Sequence, residues 1–538
     1  MAIESDEVSQ TIPRRGASRE APRVAVLLLA GTGAVRAPIG GPGQSRVIPI
    51  GSGLDIGRRP PPAADGRGVL ALPDRSVSSL HARIIKTASV GDRGDTFEIL
   101  DLGSTNGTSV DGRPVVGPTP LRPGAIVFVG GQVLIFRLAS AAELAAIAED
   151  AAHPFAPVPT LSPALAAVCS RLRRLAPSQS EIFLLGETGV GKEVFARAIH
   201  DRSGRTGQLV AINCAAIPRE LVESELFGYE KGAHSTAAGR KAGFIDAAQG
   251  GTLFLDELAE MPSELQSKLL RFIQDRKFTA LGSTRVQEAD GRIIAASSRT
   301  AMTGKAGTGS IQAALLGRLG AQPIQLPALR ERIEDLGRLA GFFLRGADRA
   351  FDTEAFHALC LHHWPHNVRE LQKVVAEAEI LSAGAPTISF EHLPESITSL
   401  VESTGDAAGV DRDELVGNDA GAGAPGDSIP HDSFDAAVKT ARTRRPAPLP
   451  EELMQLLERY QGNVAHVARH LNRQYAVVWR CIQRYGIAAD DYRPGGGGAH
   501  AAAAAAKPLE IAAGGSGADN ANPDDDDDAS EEASDEKV

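Results

Sequence analysis

The feature that most constrains this chain is the run Gly186-Glu187-Thr188-Gly189-Val190-Gly191-Lys192. An apolar segment, Ile182-Phe183-Leu184-Leu185, leads into it, and Glu193 to Ile199 follows with helical character. Strand, glycine-rich turn, lysine and helix is the arrangement of a phosphate-cradling loop. The glycines let backbone N–H groups close on a triphosphate, the helix presents its positive N-terminal end, and Lys192 reaches the β and γ oxygens. A second element agrees with it. Thr252-Leu253-Phe254-Leu255 reads as a short buried strand ending in Asp256-Glu257. That puts Asp256 where Mg²⁺ is held and Glu257 where an attacking water is polarised. ATP and Mg²⁺ are the expected ligands.

With 538 residues the chain is too long for one core, so three or more domains are expected. The net charge of −11 excludes a protein that is basic throughout, and any nucleic-acid surface has to be local. Cys169, Cys214, Cys360 and Cys481 lie far apart, without metal-ligand spacing, and no disulfide framework is expected. The longest early apolar run, Val24 to Ala30, is too short to span a bilayer and reads as a strand. The expectation is a soluble, cytoplasmic protein with no membrane partner.

Residues 1–21 are polar and mixed in charge, and a disordered tail is expected. Residues 22–139 read as all-β. Short apolar runs (Val24–Leu29, Phe97–Leu100, Ala125–Val129, Val133–Phe136) alternate with Gly, Pro, Asp and Asn turns, the spacing of a sandwich. Within it stand Gly57-Arg58, Ser78-Ser79-Leu80-His81-Ala82 and Asp101-Leu102-Gly103-Ser104-Thr105-Asn106-Gly107-Thr108. Together these resemble a forkhead-associated (FHA) domain, which implies a reader of phosphothreonine peptides. An arginine fork and hydroxyl donors on loops can bind a phosphate dianion. By the resemblance, Arg58 and Ser78 hold the phosphate, Thr105 and Asn106 fix the loops and the peptide backbone, and His81 braces the loops. Ser79 stands where the family usually carries a second arginine, so one phosphate-facing cation is missing there.

Residues 140–162 hold an Ala/Glu segment followed by Pro154, Pro157 and Pro159, a short helix and a linker. Residues 163–397 begin with alternating strands and helices, the pattern of an open α/β sheet, and turn helical from about residue 327, as a lid would. Four further blocks appear in order: Asn213-Cys214-Ala215-Ala216-Ile217-Pro218, Glu223-Ser224-Glu225-Leu226-Phe227-Gly228, Gly250 to Glu257, and Trp364-Pro365-His366-Asn367-Val368-Arg369-Glu370-Leu371. This region resembles the AAA+ domain of bacterial enhancer-binding proteins, the activators of sigma-54 RNA polymerase. The resemblance implies a ring-forming ATPase, typically a hexamer, with its site at a subunit interface. It implies that Gly186, Glu187, Thr188, Gly189, Val190, Gly191, Lys192 and Glu193 surround the nucleotide. Asp256 then binds Mg²⁺, Glu257 activates water, Asn213 is the switch partner of Glu257, and Arg369 senses the γ-phosphate from the lid.

Three departures from that family qualify the expectation. The loop that touches sigma-54 in the family corresponds to Gly232-Ala233-His234-Ser235-Thr236-Ala237. His234 is polar where the family has an aromatic ring, and the β-branched Thr236 replaces a glycine. Of the paired arginine fingers only Arg318 remains, the other position being Gln312. The sensor position near the γ-phosphate is Ser298 rather than Asn. Groups that bind ATP are intact, and groups that couple it to a neighbour or to the sigma factor are altered, so strong binding with reduced hydrolysis is expected.

Residues 398–446 are rich in Gly, Ala, Asp and Ser and read as a flexible linker. In 447–490, Leu453, Leu456, Leu457 and Tyr460 form one apolar helical face, Val464, Val467, Ala468 and Leu471 a second, and Val478, Ile482 and Tyr485 a third, with Asn463 as an N-cap. The unit resembles the factor-for-inversion-stimulation (Fis) type of helix-turn-helix. DNA binding is then expected through Gln474, Tyr475, Ala476, Trp479 and Arg480, with Arg442, Arg444 and Arg445 adding phosphate contacts. Residues 491–538 form an acidic, compositionally biased tail.

The fold class expected is therefore multidomain: an FHA β-sandwich, an α/β AAA+ P-loop ATPase with a helical lid, and a small all-α helix-turn-helix. The expected function is ATP-dependent transcription activation at an upstream DNA site, gated by a phosphothreonine protein or a Ser/Thr kinase. Two rivals stand beside it. One is a nucleotide-gated DNA-binding regulator that no longer contacts sigma-54, and the other a phosphopeptide-binding scaffold with a vestigial ATPase.

Overall fold

The computed structural model describes residues 22–32, 46–63, 65–87, 95–233, 239–298, 310–320, 323–344, 350–398, 448–471, 478, 481–482 and 485–492. Its first unit is a sandwich of eleven strands: β1 (Arg23–Thr32), β2 (Val47–Pro49), β3 (Gly53–Gly57), β4 (Gly68–Ala71), β5 (Ala82–Thr87), β6 (Thr96–Asp101), β7 (Thr108–Val110), β8 (Arg113–Pro114), β9 (Thr119–Pro120), β10 (Ile126–Val129) and β11 (Gln132–Ser140). They form two sheets, ordered β2-β1-β11-β10-β7-β8 and β4-β3-β5-β6-β9. The apolar runs marked in the sequence are β1, β6, β10 and β11.

Three of those strands are apolar on both faces. Ala25, Leu27 and Leu29 of β1, Val127 and Val129 of β10, and Leu134 and Phe136 of β11 fill the space between the sheets. Their alternates, Val26, Leu28, Ala30, Ile126, Phe128, Val133 and Ile135, point the other way and join a separate core. A strand reads as a continuous apolar run when both of its faces are covered. The cover on the outer face is the helical lid described below.

Residues 140–162 are not a free connection. Ser140 opens α1 (Ala141–Ala152) with a capping box, its Oγ accepting from Glu143 N while the Glu143 carboxylate accepts from Ser140 N. The buried Asp150 then accepts from Phe155 N and Thr160 N, and the buried Asp335 accepts from Thr160 Oγ1 and Leu161 N, both at 2.6 Å. Burial pushes the Asp335 carboxyl up to about 6, against the pull of Arg332.

The second unit contains α2 (Pro163–Leu175), β12 (Ile182–Leu185), α3 (Lys192–Asp201), β13 (Leu209–Asn213), α4 (Arg219–Phe227), α5 (Phe244–Ala247), β14 (Thr252–Asp256), α6 (Ser263–Asp275), β15 (Lys277–Thr279), β16 (Val286–Glu288), β17 (Arg292–Ser297), α7 (Ala313–Leu319) and β18 (Ile324–Gln325). Its sheet is parallel throughout, ordered β13-β14-β17-β12-β18. Helical layers cover both faces, with Phe183, Leu253, Leu255 and Ile293 on one side and Leu184, Phe254, Ile294 and Ala296 on the other. The lid follows as α8 (Leu336–Phe343), β19 (Ala350–Phe351), α9 (Thr353–Leu361), α10 (Asn367–Leu381) and β20 (Thr387–Ile388).

Further on, α11 (Pro450–Arg459) and α12 (Val464–Leu471) pack Leu453, Leu456, Leu457, Val464, Val467 and Ala468 with Val478 and Ile482. Asn463 Oδ1 caps α12 by accepting from His466 N. The residues expected to read DNA, Gln474, Tyr475, Ala476, Trp479 and Arg480, lie outside the described residues, as do Arg442, Arg444 and Arg445. Among the described residues no helix is long and apolar enough to cross a membrane.

Candidate nucleotide site and phosphopeptide cleft

In an open parallel sheet, ligands gather at the carboxyl ends of the strands. Gly186 follows β12, Asp256 ends β14, and Ser297 ends β17 with Ser298 just beyond. Gly186 N donates to Ser297 O across that edge. Lys192 is buried at the start of α3, and its Nζ lies 2.9 Å from Glu257 Oε1, 3.2 Å from Gly186 O and 3.9 Å from Asp256 Oδ1. A single cation thus balances two carboxylates. Burial pushes the Asp256 carboxyl upward, Lys192 pulls it down and Glu257 adds to the rise. Glu257 takes a left-handed backbone at φ 51°, which turns its side chain back towards Lys192, and its N–H donates to Asp256 Oδ1 at 3.0 Å.

Four consecutive residues of the loop are held from the lid side. Arg330 pairs bidentately with the Glu187 carboxylate at 2.8 and 2.5 Å. Asn367 Nδ2 donates to Thr188 O at 3.0 Å, and Val368 N and Arg369 N both donate to Gly189 O. Arg332 Nη2 donates to Val190 O at 3.0 Å. Contact is so close that a Cβ on Gly189 would sit 2.2 Å from His366 O, and the φ of +81° there is itself a glycine conformation. Arg369, expected to sense the γ-phosphate, is exposed at the head of α10 beside the loop, its N–H donating to Gly189 O. The sequence reading missed Arg330, Arg332 and Asn367. Asn367 lay inside a block already marked, and the two arginines carried no motif.

The other expected residues fall around this edge. Asn213 pairs in register with Asp256 on the neighbouring strand, but its Oδ1 accepts from Ala215 N, and Glu257 is held by Lys192. Glu193 and Arg318 are exposed. Gln312, at the position of the absent finger, lies along the surface of α6: its Nε2 donates to Ser263 O at 2.7 Å and to Ser267 Oγ at 3.1 Å. Gly232 and Ala233 begin the expected sigma-contact loop, while His234, Ser235, Thr236 and Ala237 lie outside the described residues.

The sandwich gathers its expected residues at one end. Ser78 Oγ accepts from Thr105 N at 3.1 Å and reaches Thr105 Oγ1 at 3.4 Å. Asn106 Nδ2 donates to Ser76 O at 2.7 Å, clamping two loops together. Arg58 N donates to Ser78 O and Arg59 N to Ser79 O, and both arginine side chains are exposed. His81 is fully buried, and its Nδ1 accepts from Ser78 N while Nε2 lies 3.0 Å from Gly107 O. That pairing fixes the Nε2–H tautomer, and burial holds the imidazole below its ordinary pKa, so it is a neutral brace.

Fold and site together define a P-loop nucleotide-binding protein of the AAA+ type that carries an FHA sandwich against its lid. Comparison with known families agrees. Residues 159–325 match the sigma-54 interaction domain, 330–409 an AAA+ ATPase lid domain and 54–130 an FHA domain. The chain is 35% identical over 342 residues to the transcriptional regulatory protein GlrR of Escherichia coli (strain K12), covering 62% of this chain and 69% of that protein. It is 35% identical over 340 residues to the regulatory protein AtoC of the same strain, covering 62% and 68%. Over 235 residues it is 44% identical to the nitric oxide reductase transcription regulator NorR1 of Cupriavidus necator, covering 42% and 45%. A crystal structure of NtrX from Brucella abortus in complex with ADP is similar at 29% identity over 64% of this chain and 72% of that chain, with a TM-score of 0.41. The chain belongs to the sigma-54 activator family of transcription regulators.

Proposed function

We propose that this protein binds ATP at the Gly186–Lys192 loop and couples its hydrolysis to remodelling of sigma-54 RNA polymerase. A phosphothreonine partner controls it through the sandwich, and the C-terminal helices anchor it at an upstream DNA site. The observation that carries this reading is the placement of Lys192 Nζ, 2.9 Å from Glu257 and 3.9 Å from Asp256, on a loop gripped by the lid. In this role Lys192 turns from the carboxylates to the β and γ oxygens, Glu257 becomes free to orient water, and Arg369 reports the γ-phosphate to α10. Asp256 and Glu257 are hard oxygen donors, partly exposed at a strand end, and their mutual repulsion is a charge environment that fits Mg²⁺. Mg²⁺ would supply neutralisation of phosphate charge there.

A ring, hexameric by analogy with the family, would bring the exposed Arg318 of one subunit to its neighbour's site. Gln312 favours slow turnover within this reading, because its amide is engaged with α6 and carries no charge to offer a phosphate. The deciding experiment measures ATPase rate against protein concentration. It is paired with co-elution of sigma-54 in the presence of an ATP transition-state analogue. Rates that rise with concentration together with sigma-54 retention support the reading. Nucleotide binding without retention turns it into a nucleotide-gated DNA-binding regulator.

A further inference from the structure

The outer face of β1, β10 and β11 shares one core with the lid. Val26, Leu28, Ile126, Phe128 and Ile135 bury with Leu336, Phe356 and Leu359, all at most 4% exposed. The approach is close at the backbone level: a Cβ on Gly337 of α8 would lie 2.6 Å from Ala30 O of β1. The Phe128 ring stands 4.3 Å from that of the half-buried His357 on α9. Arg137 of β11 crosses the seam, donating to Glu331 O and to the fully buried Glu334 carboxylate at 2.7 Å each. An apolar seam closed by an ion pair whose carboxylate is buried is the construction of one body, not of two tethered modules.

This body has a functional loop at each end. At the sandwich end, Asn106 holds Ser76 O, and Ser76 Oγ accepts from Gly131 N in the β10–β11 turn, beside Gln132, which donates to Asp74. β10 then carries Phe128 onto His357 of α9. Beyond α9, Trp364 Nε1 donates to Leu359 O, and Asn367 and Val368 hold the P-loop at Thr188 and Gly189. Every link in this path is a packed or hydrogen-bonded contact.

We propose that the sandwich is a fixed arm of the lid, so that the Ser76–His81 loop and the Gly186–Lys192 loop are two ends of one lever and nucleotide binding is linked to the peptide cleft. The identity of the cleft's ligand rests on the phosphothreonine reading, whereas the lever itself does not. Linkage is reciprocal: whatever factor nucleotide exerts on the cleft, a cleft ligand exerts on nucleotide affinity.

The test is hydrogen exchange on the full chain with and without a non-hydrolysable ATP analogue. Segments 76–81, 126–136 and 353–361 are expected to change protection together, by about fivefold or more. Protection that changes in 353–361 while 76–81 and 126–136 stay unaltered overturns the proposal. Phe128→Glu is expected to confine the response to the lid, since Val127 and Val129 still hold the sandwich from inside. Should that variant not fold, Arg137→Met reads the same coupling, and an unreduced response in a folded variant also counts against the lever. A degenerate phosphothreonine peptide mixture forms a second arm. A mixture that binds and shifts affinity for the analogue extends the lever to the peptide. One that does not bind removes the phosphothreonine reading alone, because the nucleotide arm decides the lever.

Discussion

Asn367 is bonded to Thr188 across the boundary between lid and sheet domain, its Nδ2 donating to Thr188 O at 3.0 Å while its Oδ1 accepts from Leu329 N at 2.7 Å. It is fully buried and left-handed at φ 55°, a conformation that asparagine tolerates better than most residues. Asn367→Ala removes both bonds and the one that Nδ2 donates to Glu187 Oε2 at 3.2 Å, and keeps the backbone cost. The expected loss is about 3 kcal/mol of stability in the lid and its seam. Nucleotide affinity should fall with it, because the loop is no longer gripped at Thr188. Thermal denaturation and titration with a fluorescent ADP check the two effects separately.

Lys192→Ala leaves Asp256 and Glu257 facing each other without the cation that now lies 2.9 Å from one and 3.9 Å from the other. A charge-assisted bond to phosphate is worth about 1.5–3 kcal/mol, so nucleotide affinity should drop about 10- to 150-fold. The fold should persist, since the cores on both faces of the sheet are untouched. Calorimetric titration with ADP measures the drop, and unchanged affinity would remove Lys192 from the site.

Much of this was legible in the chain because the P-loop is local. Glycines, lysine and flanking strand lie within a dozen residues, and Thr252–Glu257 announces its own strand end. His81, Thr105 and Asn106 were legible for the same reason. The union of sandwich and lid was not, because it joins residues some two hundred positions apart. A signal for it existed. Val24 to Ala30 and Ile126 to Val129 are apolar at every position, and a sandwich strand with one wet face alternates instead. Arg330 and the buried Arg332 could not be told in the sequence from arginines on the surface, since their partners, Glu187 and the carbonyl of Val190, are brought to them by folding alone.

His357 gives the seam a pH dependence. Its ring is half-buried against Phe128, its Nε2 is shielded from solvent with no hydrogen-bond partner among the described residues, and burial pushes its pKa down to about 3. The folded protein keeps it neutral while the unfolded chain protonates it below about pH 6.5. Stability from this group is therefore complete above pH 6.5 and declines as pH falls towards 3, at about 1.4 kcal/mol per pH unit. His81, also depressed by burial, adds a second slope in the sandwich. His357→Leu should remove one slope and leave the other. Denaturant unfolding between pH 6.5 and 5 checks this, with a gain of about 2 kcal/mol for the variant at pH 5 relative to its effect at neutral pH.

The last prediction concerns turnover. Gln312 stands before α7 with its amide spent on Ser263 O and Ser267 Oγ, and Arg318 of the same helix is exposed. If Arg318 completes a neighbour's site, Arg318→Ala should abolish the concentration-dependent part of ATPase activity, with a loss of about 10³-fold or more. Gln312→Arg tests the converse. A guanidinium is too long and too strongly charged to repeat the amide's bonds to α6, so it is driven outward at the N-terminal end of α7, whereas Arg318 stands in the last turn of that helix. Its expected effect is a rise in turnover at concentrations where the ring forms and no change in dilute protein, where no neighbour is present to receive it. A steady-state assay across protein concentration separates the two regimes. A Gln312→Arg rate that rises equally in dilute protein would show that the residue acts through α6 within one subunit, and would leave the trans-acting role to Arg318.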